Sequence, residues 1–249
     1  MLATALARVR PICLSVSVSV VLAACGDGSA DADASGSGSV SFESSDGVAL
    51  DGRLFGEGTT GVVLAHMRPA DQRSWFGFAQ RLADQGYLVL TFNFRGYCPG
   101  GDGGCSSGEL EISELWRDVL GAIDLVRDRG ATSVALVGAS MGGTASLVAA
   151  AQEGIDAEIV ATLSAPISIE GLVADGTVLQ QVGANKLFIA GVGDATAAAD
   201  AEELYATSPP PKRVEIVPAD DHGTDLLTGP QGEVVRRTIE TYLVQFAPP

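Results

Sequence analysis

The sequence predicts an α/β fold, with a mostly parallel sheet of about eight strands, an antiparallel hairpin at its start and helices on both faces. Three observations predict it. From Gly61 onward, short β-prone runs alternate with helical stretches of ten or more residues, the pattern of parallel strands joined by crossover helices. The run Gly61-Val62-Val63-Leu64-Ala65 is apolar throughout, as a strand covered on both faces must be. Ahead of it, two alternating runs flank a turn, which reads as a hairpin.

Element by element, residues 39–44 and 48–54 alternate around Ser45-Asp46-Gly47 and form that hairpin. Residues 74–85 carry Trp75, Phe78 and Leu82 at helical spacing, and residues 87–94 are strongly β-prone. Residues 110–129 put Ile112, Leu115, Trp116, Leu120, Ile123 and Val126 on one side of a long helix, with Ser107 as its expected N-cap. Strands over 133–137, 159–164, 186–191 and 213–217, and helices over 141–151, 197–206 and 232–246, complete the alternation. No internal repeat and no second domain is visible. The 249 residues suit one domain, expected at 39–249 and read as a monomer.

Composition narrows the function. Fifteen Lys+Arg against 31 Asp+Glu give a formal charge of −16, and the only lysines are Lys186 and Lys212. Nucleic-acid binding needs clustered basic side chains to neutralise phosphates, so this class is excluded. The apolar share of 46% is that of a globular chain and not of a disordered one.

The N-terminus reads as an export signal. Residues 1–10 hold two arginines and no acid, and residues 11–24 are apolar apart from Ser. That run is too short to span a bilayer and matches a signal-peptide core. It ends in Leu22-Ala23-Ala24-Cys25, which resembles the bacterial lipoprotein lipobox. The resemblance implies cleavage before Cys25, lipidation of that cysteine, and an extracytoplasmic protein anchored to the cell membrane; the alternative is an ordinary signal peptide followed by a chance cysteine. Residues 25–38, almost all Gly, Ser, Asp and Ala, suit a flexible tether. Loss of residues 1–24 removes Arg8 and Arg10 and moves the formal charge from −16 to −18. The mature chain then keeps Cys98 and Cys105 in Cys98-Pro-Gly-Gly-Asp-Gly-Gly-Cys105. In an oxidising compartment these are expected to form a local disulfide, with free thiols as the alternative. Two histidines are too few, and the spacing is wrong, for zinc. No metal or organic cofactor is expected.

Gly-x-Ser-x-Gly occurs twice, around Ser106 and around Ser140. A nucleophile elbow needs a buried strand running into the turn and a helix leaving it. Ser140 has both, with the small residues Gly138, Gly142 and Gly143 where the chain must cross itself tightly. Ser106 has only a Gly-rich loop ahead of it and is read as part of a helix start. A serine hydroxyl needs a base and the base an orienting acid. The chain offers His66, at the end of a strand, and His222, in a polar loop after the last strand. The order Ser…Asp…His puts the acid between 140 and 222. Asp194 follows the strand over 186–191 and is the candidate; Glu170 is the alternative.

The stretches Val62-Val63-Leu64-Ala65-His66, Phe92-Asn93-Phe94-Arg95-Gly96-Tyr97, Val137-Gly138-Ala139-Ser140-Met141-Gly142-Gly143, Gly191-Val192-Gly193-Asp194 and Asp221-His222-Gly223 together resemble the α/β-hydrolases. The likeness is to the compact dienelactone-hydrolase-like and acyl-esterase-like members, and it spans about residues 40 to 247. It implies Ser140 as nucleophile, Asp194 as acid and His222 as base, with the backbone N–H of Met141 as one oxyanion donor. The second donor is expected from Arg68, or from Met67, where the family usually has His-Gly and this chain has His66-Met67-Arg68. Dienelactone hydrolases proper use a cysteine nucleophile, so Ser140 argues against that activity. His66 is read as structural packing or as a pocket residue; Trp75 and Phe76 are read as core or as acyl-pocket lining.

The implied chemistry is hydrolysis of small-molecule carboxylic esters through an acyl-enzyme. Peptide or thioester cleavage, acyl transfer, and a silent binding protein on the same scaffold are the alternatives. Residues 165–185 leave room for one or two short helices and no large lid, and the Cys98–Cys105 loop is the other expected border of the pocket.

Overall fold

A computed structural model of the chain describes residues 1–2 and 38–249. Nearly all of the expected signal peptide, Cys25 and nearly all of the expected tether lie outside the described residues. The sheet begins with β1 (Gly38–Glu43) and β2 (Ala49–Phe55), followed by β3 (Thr60–Ala65), β4 (Leu88–Phe92), β5 (Ser133–Ala139) and β6 (Ile159–Leu163). A two-residue pair, β7 (Ser168–Ile169) and β8 (Leu172–Val173), stands apart from the sheet, which ends with β9 (Asn185–Gly191) and β10 (Lys212–Val217). The helices are α1 (Phe76–Ala83), α2 (Leu115–Asp128), α3 (Met141–Ala150), α4 (Gly176–Leu179), α5 (Ala195–Thr207) and α6 (Gly232–Phe246).

Eight strands pair in the order β1-β2-β4-β3-β5-β6-β9-β10. The hairpin β1–β2 and the β2–β4 pair are antiparallel, and every other pair is parallel. Side chains alternate across a strand, and β3 shows what that does to an apolar run. Val63 and Ala65 join the core under α2, α3 and α5, whereas Val62 and Leu64 join the core under α1 and α6. All six residues of β3 are buried. The expected fold is the observed one.

Two differences arise at helix starts. The long helix begins at Leu115 and not near residue 110, behind a single 3-10 turn at Ile112–Glu114. Ser107 does not cap it. Its N–H donates to the Ala49 carbonyl and its own carbonyl accepts from Gly96, so its backbone is committed to joining the ends of β2 and β4. The helix expected from residue 74 begins at Phe76, after a 3-10 turn capped by Asp71, whose carboxylate accepts from the Arg73 N–H at 2.9 Å.

A buried ion pair fixes the exit of β4. Asp118, fully buried on α2, accepts from the Arg95 N–H at 2.8 Å and from its guanidinium at 2.6 and 2.9 Å. The guanidinium also donates to Asp46 of the hairpin turn, from Nη2 at 2.7 Å and from Nη1 at 3.0 Å. Among the described residues no helix is long and apolar enough to cross a membrane.

Candidate active site

The strand-to-helix turn at Ser140 is built by close approach. Ser140 has φ 48° and ψ −121°, a left-handed conformation costing a non-glycine residue on the order of 1–3 kcal/mol. The surroundings hold it there. Its N–H donates to the Leu163 carbonyl of β6 at 2.8 Å, and its carbonyl accepts from Gly143 at 2.9 Å. A Cβ on Gly138 would lie 2.3 Å from the Gly142 carbonyl oxygen, and one on Gly142 would lie 2.5 and 2.6 Å from the carbonyls of Ala65 and His66. Glycine is therefore required on both sides of the serine. The second of these contacts also presses the segment leaving β3 against the start of α3. Met67 and Arg68, the two expected oxyanion donors, follow directly in that segment. Met141 is the first residue of α3, so its N–H has no carbonyl one turn behind it to bond.

The other half of the site hangs on β9 and β10. Asp194 follows β9 and caps α5, accepting from the Ala197 N–H at 3.4 Å. Its Oδ2 lies 2.5 Å from His222 Nδ1. The two loops are tied together because Val192 and Gly193 donate to the carbonyls of Val217 and Ala219, both at 2.9 Å. A Cβ on Gly193 would collide with the Asp220 side chain. With Nδ1 engaged by the carboxylate, His222 keeps Nε2 for a substrate-side proton. Ser140, Asp194 and His222 line one cavity of about 200 Å³, together with Ser164, Pro166 and Asp200.

The remaining expected residues are placed as follows. Glu170, the alternative acid, pairs with Arg68 at 2.8 Å on the surface and not with His222. Met67 is buried, with its Sδ packed against Gly223 beneath the histidine loop. His66 is fully buried and does not line the cavity. Its Nε2 accepts the Phe94 N–H at 3.1 Å, which assigns the ring proton to Nδ1, 2.9 Å from the Met67 carbonyl. Burial holds its pKa down at about 4, so the ring is neutral. Trp75 is fully buried in the α1–α6 core, and Phe76 packs against that core. Neither lines the cavity, because the 3-10 turn carries them to the far face of the sheet.

Cys98 and Cys105 are disulfide-bonded, but the loop they close does not border the cavity as expected. It follows β4, two strands away from β5. The Gly103 carbonyl there accepts from Gln72 and Asn93, and Gly104 packs on Asp51. Over residues 165–185 the chain forms the β7–β8 pair and the four-residue α4. Ser164 and Asp200 were not singled out from the sequence. Ser164 had a usable signal, since it is the first residue past a parallel strand's carboxyl end, where such folds collect ligands. Asp200 lies inside α5, and nothing in its local sequence marks it.

A family profile described as alpha/beta hydrolase fold matches residues 61–214, and the chain belongs to that family. Solved structures share the fold. An esterase of Pyrococcus furiosus superposes with a TM-score of 0.70 at 17% identity, covering 84% of this chain and 91% of that one. A dienelactone hydrolase from Anabaena variabilis gives 0.68 at 21% identity, covering 85% and 99%. An enol-lactonase from Burkholderia xenovorans gives 0.65 at 18% identity, covering 82% and 99%. No curated protein matches the sequence.

Proposed function

We propose that the protein is a serine hydrolase of carboxylic esters, exported and anchored to the cell membrane on its extracytoplasmic side by lipid on Cys25. The observation that carries the catalytic part is the convergence of a left-handed serine and an aspartate-bound histidine on one cavity. The esterase and lactonase structures that share its fold support the same chemistry. The Leu22-Ala23-Ala24-Cys25 motif supports the anchoring.

The proposed steps are those of a Ser-His-Asp triad. Ser140 Oγ attacks the ester carbonyl carbon while its proton passes to His222 Nε2. The Asp194 carboxylate holds the ring in the tautomer with the proton on Nδ1 and stabilises the imidazolium. The oxyanion takes hydrogen bonds from the Met141 N–H and from the N–H of Arg68 or Met67, an arrangement worth about 10²–10³ in kcat per donor. Collapse expels the alcohol, which takes the proton from His222. Water then adds to the acyl-enzyme with His222 as base, releasing the acid and restoring Ser140.

Hydrolysis of 4-nitrophenyl esters from C2 to C12, by the wild-type chain and by Ser140→Ala, tests this reading. Turnover that disappears in the variant is expected; turnover equal in both would overturn it. For the anchor, incorporation of an alkynyl fatty acid is expected in the wild type and not in Cys25→Ser.

A further inference from the structure

The Cys98–Cys105 loop lies away from the cavity, yet its hydrogen bonds run back to the segment expected to supply the second oxyanion donor. That segment, residues 66–72, leaves β3 and is fastened at both ends to the residues that follow β4. At its start, His66 bridges the Phe94 N–H and the Met67 carbonyl. At its end, the Gln72 N–H donates to Asn93 Oδ1 at 3.1 Å. Between the two fastenings stand Met67 and Arg68, whose N–H groups meet no backbone carbonyl among the described residues.

The disulfide loop completes the second fastening. Its Gly103 carbonyl accepts from Gln72 Nε2 at 2.9 Å and from Asn93 Nδ2. Gln72 and Asn93 are both buried, and a buried amide that loses its partner is costly. Gln72 Nε2 also reaches Asp51 at 3.1 Å, and its Oε1 accepts from the Thr91 hydroxyl at 3.0 Å. Asn93 Nδ2 has Gly103 alone among the described residues. The loop that carries Gly103 depends on its cross-link. Four of the six residues between the cysteines are glycine, which loses the most conformational entropy on ordering, and a disulfide offsets that loss by closing the loop beforehand. Both cysteines are exposed, so a reductant reaches the bond.

We propose that the Cys98–Cys105 disulfide, acting through the Gly103 carbonyl on Gln72 and Asn93, is a redox-sensitive brace for the oxyanion segment. This rests on the serine-esterase reading of Ser140, Asp194 and His222. A dithiol opens the brace. Two electrons and two protons pass to the S–S bond, which breaks to give two cysteine thiols, while the dithiol becomes a disulfide. The Gly103 carbonyl then leaves its two amides, the Gln72 end of the segment loosens, and the donor N–H loses its fixed place. Ser140, Asp194 and His222 take no hydrogen bond from the loop, so substrate binding and proton transfer are retained. Gln72 and Asn93 are positioning residues, and neither lines the cavity. A donor that matters only once the oxyanion has formed acts on kcat and not on KM.

The experiment measures hydrolysis of 4-nitrophenyl butanoate by the full chain in three states: oxidised, reduced with dithiothreitol, and reoxidised. The reductant is removed before assay, because a thiol cleaves activated esters itself. Reduction is expected to lower kcat by about ten- to hundredfold, part of what one oxyanion donor contributes, with KM held within about twofold and kcat restored on reoxidation. The chain with both Cys98→Ser and Cys105→Ser should show the same low kcat and ignore dithiothreitol. Gln72→Ala, with the disulfide intact, should lower kcat in the same way, and reduction should add little to it, because both act through one contact. Urea unfolding reports whether the reduced chain is folded. An unchanged kcat after reduction, a loss confined to KM, or effects of reduction and Gln72→Ala that multiply overturns the brace while the esterase stands. A reduced chain that unfolds overturns it too, since the disulfide would then hold the fold and not the donor. An oxidised wild type that hydrolyses no ester overturns the esterase reading, and the brace with it.

Discussion

Ser106 and Ser140 each sit at the centre of a Gly-x-Ser-x-Gly segment, and both are largely buried, at 3% and 9% exposure. Ser106 directly follows Cys105, the second cysteine of the disulfide. Its hydroxyl donates to the Asn93 carbonyl at 2.7 Å and accepts the Asp51 N–H at 2.9 Å, so both its hydrogen-bonding roles are spent joining β2 to the exit of β4. Ser140 is held at positive φ by the glycines around it and faces a cavity that also receives His222. Five residues of identical spacing thus make a structural pin in one place and a positive-φ turn at the edge of a cavity in the other. What separates them is the strand before and the helix after, not the pattern.

The comparison breaks most visibly in activity. Ser140→Ala and His222→Ala are each expected to cut ester kcat by about 10⁴-fold or more, and Asp194→Asn by about 10³–10⁴-fold. Steady-state kinetics on a C4 ester checks all three, and wild-type-like turnover in any of them removes that residue from the proposed triad. Next in size is the elbow's packing. Gly142→Ala drives a methyl into two backbone carbonyls and is expected to destabilise the fold by roughly 1–3 kcal/mol or more. A urea midpoint equal to wild type would show that the crossing is looser than its geometry says.

Between the two serines lies His66, buried neutral under the segment that leaves β3. Its folded pKa of about 4 is depressed, so between pH 4 and about 6.5 the unfolded chain binds the proton that the folded chain refuses. Stability is therefore complete above about pH 6.5 and falls as the pH drops, by about 2 kcal/mol at pH 5 from this group alone. Urea unfolding of wild type and His66→Gln at pH 7 and pH 5 measures it. The acid-induced loss should be smaller in the variant, and an equal loss would assign it elsewhere. The smallest effect belongs to Ser106→Ala, which strands the Asp51 N–H and the Asn93 carbonyl. It should cost about 1–3 kcal/mol of stability while leaving kcat at the wild-type value.

The sheet was legible because β3, β5, β6 and β9 are buried on both faces, so their apolar runs are continuous, and because α1 and α2 between β3 and β5 are amphipathic. The places of Ser140 and Asp194 in the fold were legible for a related reason, since Ser140 directly follows β5 and Asp194 lies in the loop that leaves β9. The start of α2 was not, because Ser107 looks like a cap by residue type yet has its N–H and carbonyl claimed by Ala49 and Gly96, partners far away in sequence. Trp75 was left open between core and pocket, because helical spacing marks a buried side without saying which of two cores it enters. Asp200 was invisible, for its place at the cavity depends on how α5 leaves Asp194.

Covalent labelling puts the two serines in direct competition. The full chain would be treated with a fluorophosphonate probe, digested and mapped by mass spectrometry. The account predicts one adduct, on Ser140, absent when His222 is replaced by alanine. An adduct on Ser106, or no adduct in a folded and ester-hydrolysing sample, would contradict it.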